Sequence, residues 1–176
     1  MDYGRLWGCS IKGEEMRIII PCLAMIFVFM VGGCSAEITG TVVDAETGKP
    51  IEGAVVLVEW TMIKGVPGMT HTESYKVIEI VTDKFGKYTI PRVINPLVHS
   101  PDITIYKKGY VAWNNKLIFP DYKKRTEFNL ADNIFHKMEK FKTEYDYSNH
   151  QAFIDDAIHV GLSMEKKQRF LNSYRE

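Results

Sequence analysis

From Glu37 onward, turn residues cut the chain into short apolar runs at roughly ten-residue spacing, a rhythm that narrows the possible folds more than any other feature. Such runs alternate side chains with a period of two, and a series of them punctuated by Gly, Pro, Asn and Asp reads as an antiparallel sandwich or barrel. The spacing predicts strands over 38–43, 54–61, 74–81, 87–93, 103–106 and 126–130, with a seventh over 111–119. A chain of 176 residues, 45% apolar and 25% charged, can bury one such core and carry an appendage. Its 22 basic and 22 acidic residues cancel, so no net field favours nucleic acid as a partner.

The joint between the first two strands is the most informative stretch: Gly40-Thr41-Val42-Val43-Asp44-Ala45-Glu46-Thr47-Gly48-Lys49-Pro50-Ile51-Glu52-Gly53-Ala54-Val55-Val56. Asp44 can accept from amides two or three residues on, Gly48 can take a positive φ, and Pro50 fixes its own φ at the turn. Gly53 and Ala54 let the second strand start without bulk, so that Val56, Val58 and Trp60 share one sheet surface. A second hairpin is signalled at Thr82-Asp83-Lys84-Phe85-Gly86-Lys87-Tyr88, with Asp83 opening the turn and Gly86 at its left-handed position. Together with Lys108-Gly109-Tyr110, these stretches resemble the carboxypeptidase regulatory-like domain over residues 37–130. The resemblance implies a mainly β, Greek-key antiparallel, prealbumin-like sandwich of about seven strands, with Asp44, Thr47, Gly48, Pro50, Gly53, Asp83 and Gly86 as structural turn residues. A long connection at 62–72 and the segment after 130 depart from the family pattern.

Upstream, Arg17 is followed by an uncharged, apolar run over 18–33, the length of a signal-peptide core. It ends in Val31-Gly32-Gly33-Cys34-Ser35, which resembles the lipobox of bacterial lipoproteins: an aliphatic residue, two small residues, then the cysteine that is acylated and becomes residue one. An uncleaved span is the competing reading, but Pro21 interrupts the run, the Gly32-Gly33 pair weakens a helix end, and no basic residue follows Ala36 closely. The expected organisation is a signal peptide over 1–33, with Met16 the suspected true start because Glu14 and Glu15 ill suit an export signal. A lipidated N-terminus follows over 34–36, then the sandwich over 37–130 and a helical extension over 131–176. Cys9 and Cys22 lie upstream of the cut, leaving Cys34 as the sole cysteine of the mature chain. Ser35 resembles the outer-membrane address of lipoproteins in two-membrane bacteria.

After Ala131 the apolar period lengthens towards 3.6, with Ile134, Phe135, Met138, Phe141 and Tyr145 on one helical stripe. Ser148 and Gln151 resemble a capping box, Gly161 is placed to stop that helix, and Ser163 to cap a last one. These helices are expected to pack on the sandwich or on a partner.

Motifs with chemical potential are weak. His136-x-x-Glu139 has zinc-peptidase spacing but no third ligand, and Ser163-x-x-Lys166 lacks the companion motifs of penicillin-binding enzymes. The other histidines, His71, His99, His150 and His159, read as surface or loop residues, and Asp44 and Asp83 lack the acidic neighbours of a calcium site. No catalytic group, metal or cofactor is therefore expected. Trp60, Tyr110 and Trp113 are the aromatics that could face a ligand. Two functions follow as expectations: a non-enzymatic, membrane-anchored envelope lipoprotein whose sandwich is a structural or protein-interaction module, or a carbohydrate-binding one using the 62–72 and 94–101 loops.

Overall fold

The computed structural model describes residues 37–159 and 163–175, so the export segment, Cys34, Met16 and Gly161 lie outside the described residues. The described residues form a mainly β sandwich with helices at its C-terminal side. One sheet, in the order β4-β1-β9, is built from β1 (Glu37–Asp44), β4 (Lys87–Pro91) and β9 (Ile134–Met138). The second, in the order β3-β2-β5-β6, contains β2 (Val55–Val66), β3 (Met69–Val81), β5 (Asp102–Tyr106) and β6 (Trp113–Asn114). A short ribbon joins β7 (Leu117–Ile118) to β8 (Lys123–Lys124), and helices α1 (Tyr147–Ala157) and α2 (Gln168–Arg175) flank a 3₁₀ turn at Met164–Lys166. Among the described residues no helix is long and apolar enough to cross a membrane.

Strand β2 sits at the centre of both cores, which explains its unbroken apolar run. Val56, Val58 and Trp60 point between the sheets, against Ile38 and Val42 of β1, Ile90 of β4, Ile103 and Ile105 of β5, and Met138 of β9. Val55 and Leu57 point the other way, where Phe153, Ile154 and Ile158 of the α1 region and Phe170 and Leu171 of α2 cover them. A strand enclosed on both faces can carry apolar residues at every position, unlike β1 and β4 of the other sheet, whose inward and outward residues alternate. The helices thus pack on the sandwich itself, each through an apolar stripe.

The two turn motifs close one end of the sandwich as a single unit. Val42 N–H donates to Gly86 O at 2.8 Å, Gly53 N–H to Thr82 O at 3.0 Å, and the buried Thr82 hydroxyl donates to Ile51 O at 2.7 Å while accepting from Ala54 N–H. Gly86, with φ of 70°, also lies so close to Val42 O that a Cβ would collide with it. Gly40 serves a different purpose. Its missing side chain opens a trough in the middle strand, across which Tyr88 of β4 reaches His136 of β9, Oη to Nε2 2.6 Å. Gly40→Ala would put a methyl group into the Tyr88 ring; overpacking of this kind is expected to cost about 1–3 kcal/mol in a urea titration. An unchanged midpoint would mean that the ring has other room.

Three expectations for the chain after Lys124 need correction. Residues 126–130 form no strand, although Phe128 and Leu130 still pack on the main core. The third strand of the small sheet is instead β9, in the segment expected to open the helical extension, and it pairs parallel with β1 from Gly40↔Ile134 to Asp44↔Met138, so the sheet is not wholly antiparallel. Ile134, His136 and Met138 face inward while Phe135 and Lys137 face out. Residues four apart share a face in either period, and a histidine at the middle inward position hides the alternation.

Both helix starts also differ from expectation. Asp146, not Ser148, caps α1, accepting from the amides of Ser148 and Asn149. Ser163 makes no side-chain cap; the amides of Arg169 and Phe170 at the start of α2 donate to Glu79 of β3, at 3.2 and 2.7 Å. A carboxylate suits the positive end of a helix wherever it comes from in the sequence.

Candidate functional site

The motif residues are occupied in holding the turns. Asp44 Oδ1 accepts from the amides of Glu46 and Thr47 and from the Thr47 hydroxyl, at 3.0, 2.8 and 3.0 Å, and its Oδ2 accepts from the Tyr110 hydroxyl at 3.0 Å. The Thr47 amide, helped by the Tyr110 and Thr47 hydroxyls, outweighs burial and holds this carboxyl at about 2. Gly48, Gly53 and Gly86 all take φ near 70° (69°, 71° and 70°), Pro50 bridges to Val43, and Asp83 accepts from the amides of Phe85 and Lys87. Tyr110 is therefore tied to the first turn by its hydroxyl.

Trp60 and Trp113 are also committed, at 3% and 8% exposed, both within the core between the sheets. Neither offers a ring face to a sugar, which removes the feature that suggested carbohydrate binding. His136 is fully buried in a strand rather than on an amphipathic helix, and in a strand Glu139 three positions on leaves from the opposite face. Burial, with Arg125 nearby, pulls the His136 imidazole down to about 3. His150, expected at the surface, is buried too; its Nε2 accepts from the Ala112 amide at 2.9 Å, and burial brings it down to about 4. Among the described residues no group of three His, Cys, Asp or Glu side chains is arranged to hold a metal ion.

A cluster that sequence reasoning missed lies under the helices. Glu59 of β2 and Asp102 of β5 are direct partners across the ladder, so two buried carboxylates stand side by side. Like charges so placed repel unless cations intervene. Lys167, wholly buried, donates to Glu59 Oε2 at 2.7 Å and to Ile158 O at 2.6 Å, while Lys116 pairs with Asp102. His159 Nδ1 lies 3.9 Å from Glu59 Oε2 and 3.7 Å from Asp102 Oδ2 without a hydrogen-bond partner. The same lysine occupies one of the carbonyls that α1 leaves free at its end, so the cluster latches the helices to the sheet. Its only signal in the sequence was Glu59 itself, an acid set in the apolar run Val55-Val56-Leu57-Val58-Glu59-Trp60. Beside it a groove of about 400 Å³ is lined by Asn115, Lys116, Lys124, Arg125 and His159.

The most unusual surface lies at the end opposite the turn motifs. The segment expected to be a loop at 62–72 is a hairpin in which β2 and β3 remain paired as far as Val66↔Met69, seven residues past the last β2–β5 pair, Glu59↔Asp102. At about 3.3 Å per residue the arm extends some 23 Å beyond the start of β5. The 94–101 loop braces its base through a Met62–Val98 bridge and a 2.9 Å bond from His99 N–H to Thr61 O. Both tips are apolar: Gly65-Val66-Pro67-Gly68-Met69 on the arm and Ile94-Asn95-Pro96-Leu97-Val98 on the loop, with Met69 79% and Ile94 87% exposed. The two tips share this end of the sandwich, the loop tip beside the base of the arm and the arm tip four residues, or about 13 Å, further out. Exposed apolar groups concentrated at one end, unlike scattered ones, mark surfaces that meet another phase or molecule. No protein-family model matches the chain, and no curated protein compared with it matches either.

Proposed function

We propose that the protein is a lipid-anchored component of the cell envelope, cut before Cys34, acylated there and held at the outer membrane. Its sandwich, kin to carboxypeptidase regulatory-like domains, acts as a non-enzymatic structural or protein-interaction module. The observation that carries the reading is the Val31-Gly32-Gly33-Cys34 sequence three residues ahead of Glu37, where β1 begins. A folded domain that starts directly after the acyl acceptor is tethered by a leash too short to leave the bilayer surface. The kinship is supported by the way the 40–56 and 82–88 motifs lock together through Gly86, Thr82 and Ile51. A non-enzymatic role fits the commitment of Asp44, Asp83, His136 and Lys167 to turns, core and latch. The helices spend their apolar stripes on β2, so a partner would meet other parts of the domain.

Processing of the full chain tests the anchor. The wild-type N-terminal peptide is expected to begin at Cys34 and to carry acyl mass, whereas Cys34→Ala should lose that mass and leave the membrane fraction. A Cys34→Ala protein that is processed and sediments with membranes like wild type would overturn the proposal. A pull-down of the acylated protein from solubilised membranes, with Cys34→Ala as control, would then identify the partner.

A further inference from the structure

We infer that the end of the sandwich bearing the 62–72 hairpin and the 94–101 loop seats itself in the lipid surface, with Val66, Met69, Ile94 and Leu97 entering the interfacial layer. The inference rests on the anchored reading and adds to it a second, non-covalent contact and a fixed orientation. Strand topology supplies the argument. Glu37 pairs with Pro91 at the end of β4, the chain runs from Pro91 through the 94–101 loop into Asp102, and Asp102 pairs with Glu59 at the base of the hairpin arm. The point where the described chain begins therefore lies at the same end as both apolar tips, away from the two interlocked turns. Cys34 is three residues upstream of Glu37, a reach of about 10 Å at full extension. An acyl group on Cys34 would bring this end to the bilayer and hold the tips at a high effective concentration against it, so that even a few apolar side chains partition.

The chemistry of the surface selects hydrocarbon over headgroup charge. Residues 65–69 and 94–98 carry no ionisable side chain. The nearest charges on the arm, Lys64 and Glu73, neutralise each other at 2.7 Å, and Arg92 pairs with Asp132 at 3.5 Å. The opposite end differs, with Phe85 exposed among Asp83, Lys84 and Lys87. Contact with the bilayer should accordingly be the same in zwitterionic and anionic vesicles, unlike that of a basic patch.

The full chain, processed and reconstituted into phosphatidylcholine vesicles, provides the test. A thiol-reactive, environment-sensitive fluorophore is placed at Val66→Cys, at Ile94→Cys and, as control, at Phe85→Cys, and the mass of the N-terminal peptide is read on the same samples. Emission at 66 and 94 is expected to shift to the blue and to be quenched by brominated lipid, with neither change at 85. Added phosphatidylglycerol should leave the shifts as they are. Acylated protein whose probes at 66 and 94 report water as fully as the one at 85 would overturn the inference while leaving the anchor standing. A blue shift that needs no vesicles and grows with protein concentration would overturn it in favour of a second copy of the chain. Peptide mass without acyl groups, together with failure to bind vesicles, would overturn both the anchored reading and this one.

Discussion

Replacing Lys167 by methionine is expected to destabilise the folded domain by about 3–5 kcal/mol, the cost of leaving a buried carboxylate without its cation. Glu59 is 2% exposed, its Oε1 has no hydrogen-bond partner, and Asp102 stands directly opposite, so the carboxylate cannot turn to water when the lysine is removed. The substitution also strips the Ile158 carbonyl of its donor. Glu59→Leu combined with Lys167→Met is expected to recover most of the loss, because two well-packed apolar side chains remove both desolvation penalties at once. Urea titrations of the single and double variants measure this directly. A single variant within about 1 kcal/mol of wild type would mean that water reaches the pair, and the latch would then be an ordinary surface ion pair.

Mild acid should weaken the fold, because two buried histidines stay neutral in it. His136 and His150 are held neutral in the folded state, down to about 3 and about 4, whereas in the unfolded chain an imidazole takes up its proton near 6.5. Between those values the unfolded state binds more protons, so stability rises with pH there. The contribution is fully present above about 6.5 and is lost progressively as pH falls towards 4 and then 3. For His136, wholly buried against Trp113 and Tyr88, the full loss is on the order of 5 kcal/mol, a large share of the total stability of a domain. Asp44 adds a separate loss further down, between its unfolded value of 3.8 and about 2, because its folded value is depressed. The urea midpoint is expected to fall between pH 7 and pH 4.5, and Tyr88→Phe with His136→Leu should flatten that fall. Equal midpoints at the two pH values would refute the account.

Legibility in the sequence followed the range of the interactions involved. The 40–56 turn could be read because Asp44, Thr47 and Gly48 act on each other within four residues, and the 82–88 turn for the same reason. Strands β1, β4 and β5 alternate or run apolar in ways that leave little choice, and β2 was foreseen, although not its extension into an arm. The aromatics misled. Trp60 and Trp113 look alike whether they fill a core or face a ligand, and only the second sheet, closing over them, distinguishes the two cases.

The sequence by itself determined the class of fold, the two glycine-hinged turns and the cysteine-bearing segment ahead of the domain, since each depends on neighbours along the chain. Only the tertiary structure decided that β1 takes 134–138 as its partner, that Glu79 caps α2, and that Glu59 finds Lys167 from 108 residues away. It also gathered the 62–72 and 94–101 tips at the end where Glu37 enters the sheet. The physical reason is of one kind. A free strand edge, an uncapped helix and a buried charge each need a complement, and which distant residue supplies it, like which loops meet at one end, depends on the packing of the whole domain.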